Sequence, residues 1–334
     1  MTAHVFARTL MAGAAMLSLL AGGAQGVAAA EVEARLGMIF APAVPLVRCG
    51  ADILAVNQAV VDSGLKISVI HSSQLGSELE MVQQVSSGEL EITLGTASIL
   101  AAYVEGLSVF ETYYLYDDPD QVLKVHSTEV AAKLWQELLE TANIRRIGTP
   151  WLYGVRHVFG NKALRGPDDF AGLRLRVPQT AISIASAQAL GASPTPTTYG
   201  ELYLALQQGI VDAAEAPAAV VQAESFYEPA DYFNMTGHLI TAVPVIVNED
   251  FWQSLTPEQQ AALDQAAHET AASVRACVEE ADAAAIQGWK DSKAIEVVED
   301  VDRAALKAKV QAFYSQGMPW SAVYNDLIAE LAKQ

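Results

Sequence analysis

Cysteine is almost absent from this sequence, and basic residues are scarce compared with acidic ones. Cys49 and Cys277 are the two cysteines among 334 residues, too few for a scaffold built on disulfides. Both lie in helix-like segments and are interpreted as small buried residues. A bridge between them in an oxidising compartment is the open alternative. The net charge of −19 disfavours binding to nucleic acid or to an anionic membrane surface.

Long uncharged apolar runs are also missing, except near the N-terminus. Residues 9–23 form an apolar stretch behind Arg8, but they are too few to cross a bilayer, which takes about 20 residues. Ala28-Ala29-Ala30 supplies the small-residue pattern that signal peptidase recognises. We therefore predict a signal peptide at 1–30, a mature chain that starts at Glu31, a periplasmic location and no membrane insertion. A buried N-terminal helix is the alternative, which the glycines of this segment oppose.

The familiar sequence motifs of enzymes do not occur. G-x-S-x-G, P-loop and G-x-G-x-x-G segments are all missing. The six histidines are scattered, and His268-Glu269 lacks the second histidine of a zinc-protease helix because that position is Ala272. The sequence therefore predicts a protein that is not an enzyme and holds neither metal nor cofactor. A catalytic group assembled from distant residues is the alternative.

Short β-like runs alternate with helix-like runs after residue 31, which is typical of α/β layers. The first group has predicted strands and intervening helices at 34–40, 46–60, 66–70, 77–88 and 90–95. A second group repeats the order strand, helix, strand at 173–177, 201–209 and 210–215. This recurrence indicates two lobes with the same local plan, although the order is common enough in α/β proteins to arise by chance.

The longest predicted element is a helix that begins at Thr256-Pro257 and continues toward Trp289. Threonine can cap the helix, proline fits its first position, and Gln259 completes a capping box. At 1.5 Å per residue this helix would reach about 45 Å, enough to cross two lobes. Two helices broken near Ala271-Ala272 are the alternative.

Arginine is concentrated in segment 154–178. Arg174 and Arg176 share one face of the predicted strand 173–177, which Pro178 ends. Ligands of α/β sheets bind outside the carboxyl ends of the strands, so Arg176 is the better candidate for a binding residue. Its guanidinium can hold a carboxylate through two parallel hydrogen bonds. A solvated arginine at the sheet edge is the alternative.

Six segments taken together resemble the DctP-type substrate-binding subunit of TRAP (tripartite, ATP-independent) transporters. In chain order they are SSQLGSELEMVQQVSSGELEI (72–92), GVRHVFGNK (154–162), PDDFAGLRLRVP (167–178), LGASPTPTTYGELYLALQQGIVDAAEAP (190–217), YEPADYFNMTGH (227–238) and VNEDFWQSLTPEQQ (247–260). The combination of R-V-P with A-L-Q-x-G-x-V-D is typical of that family. The resemblance implies a two-lobed α/β periplasmic binding protein with a cleft between the lobes and a long helix that spans them.

What the resemblance implies about function is the capture of a small organic acid. The ligand would be delivered to integral membrane subunits driven by an ion gradient. Lobe I is expected to comprise 31–153 plus 242–281, and lobe II 154–241 plus 282–334. The alternative function is a ligand-presenting accessory protein for a periplasmic sensor kinase, which neighbouring genes for a kinase would favour.

The resemblance also implies roles for individual residues. Arg176 would form the bidentate salt bridge to the ligand carboxylate, and Arg156 would assist it. Tyr199 would stack on the ligand. Glu215 would meet an amine or hydroxyl of the ligand, or pair with a neighbouring arginine. Thr96 completes the polar residues predicted to bind ligand.

Two departures from the family pattern bear on the ligand. Ala216 stands where an asparagine commonly binds the substrate, and Ile39 stands where sugar-acid binders can carry a polar residue. Unpaired buried hydroxyls cost about 1–3 kcal/mol each, so we expect an acid with fewer hydroxyls than a sialic or uronic acid. Phe40, Trp151 and Tyr153 are expected to line an apolar end of the pocket, and a place in the ordinary hydrophobic core is the alternative for these aromatic residues.

Overall fold

Residues 31–331 are described by the computed structural model. The predicted signal peptide lies outside the described residues. Among the described residues, no helix is both long and apolar enough to cross a membrane. Thirteen α-helices and nine strands occur in this part of the chain, so the predicted mixture of α and β elements is confirmed.

The nine strands form one mixed sheet. They are β1 Val32–Gly37, β2 Leu65–Ile70, β3 Ile92–Leu94, β4 Ile144–Gly160, β5 Arg174–Val177, β6 Ser193–Pro196, β7 Ala213–Ala216, β8 Tyr232–Asn248 and β9 Glu296–Val298. Their order is β2-β1-β3-β8-β4-β7-β5-β6, and β9 pairs with β8. We name the part around β1–β3 lobe I and the part around β5–β7 lobe II.

The thirteen α-helices cover and connect these strands. They are α1 Asp52–Ala55, α2 Gln58–Asp62, α3 Glu78–Ser87, α4 Ala97–Leu100, α5 Pro119–Val125, α6 Glu129–Ala142, α7 Ala181–Leu190, α8 Leu202–Gln207, α9 Ala218–Ala223, α10 Glu249–Ser254, α11 Pro257–Ser292, α12 Arg303–Tyr314 and α13 Ser321–Leu331. A π-helix precedes α1 at Leu46–Ala51. The single helix predicted over 46–60 is therefore divided into three short pieces.

Strands β4 and β8 connect the two lobes. Both are 17 residues long and they pair antiparallel along most of their length. On the lobe I side β8 also pairs with β3, whereas on the lobe II side β4 pairs with β7. The β4–β8 register shifts at three places between these ends. Such irregularities bend and twist a strand pair locally, so the crossing segment is where the sheet turns from one lobe into the other.

Helix α11 runs along β4 and confirms the long predicted helix. The Thr256 side chain accepts from the Gln259 N–H, and the Gln259 side chain accepts from the Thr256 N–H at 3.0 Å. The 36 residues of α11 continue through the predicted break, so the alternative of two helices is wrong. At 1.5 Å per residue, α11 is about 54 Å long. Gly148 of β4 has a φ of +55°, and a Cβ there would lie 2.7 Å from the His268 backbone nitrogen; glycine therefore permits the close approach of strand and helix.

Cys49 and Cys277 form a disulfide that joins the π-helix to α11. Their Cα atoms are 6.4 Å apart, and 228 residues separate them in the sequence. The interpretation as two unpaired cysteines is therefore wrong, and the bridge that the sequence left open is present. This bond fastens one of the earliest elements of the fold to the long helix.

The last helix, α13, packs against α6. The Glu330 carboxylate accepts from the Glu129 N–H at 2.7 Å and from the Val130 N–H at 3.2 Å, which are the first amides of α6. Residues 282–334 are expected in lobe II and α6 in lobe I, so this contact joins elements from the two sides of the expected boundary, which stays a prediction. Helix α12, by contrast, packs on α7 and β8.

Candidate ligand-binding cleft

A cavity lies between the lobes, where strands of both lobes reach their carboxyl ends. Lobe I contributes residues that follow β1 and β3, and lobe II contributes residues that follow β5 and β6. The cavity volume that the centres of water molecules can occupy is about 80 Å³, which is enough for several waters. Six of the predicted ligand-binding residues line this cavity: Ile39, Phe40, Thr96, Arg156, Arg176 and Tyr199.

Arg176 lies near the end of β5 and is almost fully buried, with 4% of its surface exposed. Its Nη2 donates to the Thr197 carbonyl at 2.6 Å and its Nε to the Thr197 hydroxyl at 3.3 Å. No carboxylate of the described residues lies within ion-pair distance of it. Burial lowers the pKa of Arg176 because a charge without a partner is costly in a dry environment. The cavity therefore offers an arginine that an anion would stabilise.

Arg174 lies two residues earlier on the same strand but is exposed. Its guanidinium forms an ion pair with Asp212 and donates to the carbonyls of Gly209 and Ile210 at 2.8 and 3.0 Å. These bonds satisfy Arg174 on the surface of lobe II. The two arginines of one strand face thus lie in very different surroundings.

Arg156 of β4 is buried and paired with Glu215 of β7. Nη2 of Arg156 donates to Oε1 of Glu215 at 2.6 Å, and Nε donates to Oε2. Burial alone would raise the pKa of Glu215, but the charge of Arg156 and its hydrogen bonds lower it to about 2. Glu215 therefore pairs with a neighbouring arginine, one of its two predicted roles. The Arg156 guanidinium, which also lies 5.2 Å from the centre of the Tyr153 ring, lines the cavity with its charge already compensated.

An aromatic wall closes one side of the cavity across the two lobes. The ring of Tyr199, in lobe II, meets the ring of Phe40, in lobe I, edge-on with their centres 5.2 Å apart. Beside this contact, Oε1 of Glu224 accepts from the Ala41 N–H at 2.8 Å. These contacts join residues that follow β1 to elements of lobe II.

Three predicted residues do not line the cavity: Trp151, Glu215 and Ala216. Trp151 is buried beneath α11, and its indole N–H donates to the Ala267 carbonyl at 3.0 Å. The register of β4 against β8 shifts directly before Trp151, at the place where this side chain packs under the helix and not in the cleft. Ala216 is buried in β7, where it pairs with His157. Position 216 therefore does not line the cavity, and the lack of an asparagine there does not change the cavity lining directly.

Two acidic residues of the cavity were not found from the sequence, Glu78 and Glu111. Oε1 of Glu78 accepts from the Thr96 N–H at 2.5 Å, and Oε1 of Glu111 accepts from the Ser98 N–H at 3.3 Å. Burial raises the pKa of Glu78 to about 7 and raises that of Glu111 as well. Glu78 is the first residue of α3, a position where acidic residues are common because they favour helix N-termini. Because the helix N-terminus alone accounts for an acidic residue at this position, the sequence does not indicate that Glu78 lies in the cleft.

Comparisons with known proteins bear on the family. The model of bacterial extracellular solute-binding protein, family 7 (DctP), matches residues 56–319. The chain belongs to this family. The resemblance stated from the six sequence segments is thereby confirmed.

Relatives of this DctP family member are similar in sequence and in structure. The sialic acid-binding periplasmic protein SiaP of Vibrio cholerae is 32% identical over 192 residues, which are 58% of this chain and 60% of SiaP. A TRAP periplasmic solute-binding protein from Ochrobacterium anthropi, solved with bound L-fuconate, has 30% identity and a TM-score of 0.84 over 90% of this chain and all of that one. Another, from Actinobacillus succinogenes with bound L-galactonate, has 27% identity and a TM-score of 0.84, covering 91% and 100%. The two-lobed α/β fold is confirmed, and none of these relatives supports the sensor-kinase alternative.

Proposed function

We propose that this solute-binding protein captures a small organic acid in the periplasm and hands it, chemically unchanged, to the integral membrane subunits of a TRAP-type transporter. One observation supports this most directly: Arg176 is buried in a cavity between two lobes and has no carboxylate partner among residues 31–331. A carboxylate can take two parallel hydrogen bonds from a guanidinium. The family membership and relatives named for acids support the same class of ligand.

Ligand binding would favour the closed arrangement of the lobes. An acid between Arg176 and the residues after β1 and β3 contacts both lobes, so its interaction free energy is larger when the cleft is closed. The Phe40–Tyr199 contact and the Glu224–Ala41 hydrogen bond also stabilise the closed arrangement. Bending at β4 and β8 provides the hinge. The membrane subunits would then recognise the closed surface.

The periplasmic location rests on the predicted signal peptide and on the family. A disulfide between Cys49 and Cys277 accords with an oxidising compartment. Intact-mass measurement of the protein from its native host should give a chain that starts at or near Glu31. A chain that keeps Met1 would contradict the proposed export.

The proposed function is tested by a thermal-shift screen of the mature protein against organic acids. A ligand at 100 times its Kd adds about 2.7 kcal/mol to the free energy of unfolding, so a true ligand raises Tm clearly. The Arg176→Ala variant is the control and should show no shift. Mass spectrometry should recover the acid unchanged after incubation. Carboxylate capture is contradicted if no acid stabilises the wild type or if both proteins shift equally, and turnover of the acid would contradict a purely binding role.

The number of hydroxyls on the ligand remains a prediction. Of the two residues on which it was based, Ile39 lines the cavity and Ala216 does not. The expectation of an acid with few hydroxyls therefore depends on Ile39 alone. The relatives named above bind sialic acid, L-fuconate and L-galactonate, so polyhydroxy acids belong in the screen.

A further inference from the structure

The charged groups of the cleft are not balanced by one carboxylate ligand. Two arginines and two glutamates line the cavity: Arg156, Arg176, Glu78 and Glu111. Glu215 already compensates Arg156 from beneath the cavity, and the proposed ligand carboxylate would compensate Arg176. Glu78 and Glu111 then have no cation within ion-pair distance in the described part of the chain.

The fold holds these two carboxyl groups in place rather than releasing them to solvent. Thr96 and Ser98, around the start of α4, each donate a backbone N–H to Oε1 of one glutamate. Burial, and to a smaller extent the charge of Glu111, raises the pKa of Glu78, and both side chains line the same cavity. Lobe I therefore presents two carboxyl groups without a cationic partner to the cavity that also holds the arginine of lobe II.

We propose that the ligand is a zwitterion whose carboxylate binds Arg176 and whose protonated amino group binds Glu78 and Glu111. This inference rests on the proposed function and narrows its substrate class. Burying carboxylates without a partner costs several kcal/mol, and an ammonium brings a positive charge and three N–H donors. A hydroxyl brings one donor and no charge, so it does not compensate the charge of an ionised glutamate.

This arrangement gives the ligand a direction in the cleft. Its negative end lies on lobe II and its positive end on lobe I, so each end contacts only one lobe. An acid without the amino group would engage Arg176 and leave the lobe I carboxylates uncompensated. The pair Glu78 and Glu111 would thus determine which acids close the cleft.

Matched pairs of acids test the proposal by calorimetry at neutral pH. The probes are alanine and lactate, β-alanine and 3-hydroxypropanoate, 4-aminobutanoate and 4-hydroxybutanoate, and 5-aminopentanoate and 5-hydroxypentanoate, with L-galactonate as a polyhydroxy acid. Within each pair the acids differ in the amino or hydroxyl group at similar size. We expect at least one amino acid to bind about tenfold or more tightly than its hydroxy partner, a difference of about 1.4 kcal/mol.

Glu111→Gln removes a charge while it keeps the size of the side chain. It should weaken binding of the preferred amino acid about tenfold or more and change binding of its hydroxy partner by less than about threefold. Glu78→Gln should act in the same direction, which covers the case in which one variant folds poorly. Glu137→Gln, at an exposed position of α6, is the control and should change neither.

The outcomes separate this inference from the proposed function. The proposal of a zwitterionic ligand is overturned if a hydroxy or polyhydroxy acid binds more tightly than every amino acid. An amino-to-hydroxy preference that survives both glutamine substitutions also overturns it. Failure of every acid to bind, or binding that is unchanged in Arg176→Ala, counts instead against carboxylate capture itself.

Discussion

The guanidinium of Arg156 is bound to the carboxylate of Glu215 through both Nε and Nη2. Arg156 lines the cleft and Glu215 compensates it from beneath, whereas in the described part of the chain the only hydrogen-bond partners of Arg176 are the carbonyl and hydroxyl of Thr197. The two buried arginines therefore differ in their capacity to bind an acid. Arg156 is fixed and compensated, and Arg176 is available.

Arg176→Ala is predicted to remove most of the ligand affinity. The loss of one partner from a buried, hydrogen-bonded ion pair costs about 2–5 kcal/mol, which is roughly a 30-fold to several-thousand-fold rise in Kd. Arg176→Lys should recover little, because an ammonium cannot reproduce the planar two-point contact. Isothermal titration with the acid found in the screen measures both variants.

Arg174→Ala is the matched control on the same strand. Its ion pair with Asp212 is on the surface, so its removal should change Kd by less than about threefold. If Arg176→Lys bound as the wild type does, or if Arg174→Ala were the more damaging change, the binding site would have to lie elsewhere.

The features that the sequence predicts well are those set by local chemistry. The long helix α11 was found because Thr256 and Gln259 form a capping box, an interaction between residues three apart. Strand alternation puts Arg174 and Arg176 on one face, and the end of the strand at Pro178 places Arg176 nearer the cleft than Arg174. Both arguments use distances of a few residues along the chain.

The features that the sequence does not predict depend on contacts between distant segments. Trp151 faces α11 rather than the cleft, next to an irregular pairing of β4 with β8. Glu111 reaches the cavity because the Ser98 amide holds it, and no spacing in the sequence encodes that contact. The Cys49–Cys277 bridge likewise needs the two helices to be placed side by side first.

Glu215→Gln is predicted to lower the free energy of unfolding by about 3–5 kcal/mol, because Arg156 would keep a buried charge without a partner. Urea unfolding followed by circular dichroism measures this. The control is Glu249→Gln, which breaks the partly exposed pair of Glu249 with Arg145 and should cost about 1 kcal/mol or less. An equal decrease in the free energy of unfolding in the two variants would contradict the prediction that breaking the buried pair costs more than breaking the partly exposed one.

The double variant Cys49→Ser, Cys277→Ser is predicted to be less stable than the wild type by about 2–5 kcal/mol. The bond closes a loop of 228 residues, and long loops lose the most chain entropy when they are closed. Reduction of the wild type with dithiothreitol should produce the same loss and should leave the double variant unchanged. Neither cysteine lines the cavity, so ligand affinity below the unfolding transition should stay the same.

Asp282 of α11 links the long helix to lobe II. One carboxylate oxygen, Oδ1, accepts from the Ala219 N–H at 2.6 Å. Burial raises the pKa of Asp282 to about 7. A raised pKa means that the folded protein binds more protons than the unfolded chain between about pH 4 and pH 7, so the free energy of unfolding falls as the pH rises through that range, by at most about 1.4 kcal/mol per pH unit.

Asp282→Asn is predicted to abolish this part of the pH dependence, because asparagine keeps the acceptor oxygen and does not titrate in this range. Between pH 4.5 and pH 7.5 the free energy of unfolding of the variant should rise by about 2–3 kcal/mol relative to that of the wild type. Urea unfolding at several pH values measures this difference. The contributions of other titrating groups, Glu78 included, cancel in the comparison. Asp264→Asn is the matched control, since Asp264 also accepts a backbone N–H, that of Gly148, but at an exposed position of α11. A difference between Asp282→Asn and the wild type that stays constant with pH would show that the carboxyl group is ionised throughout this range in the folded protein.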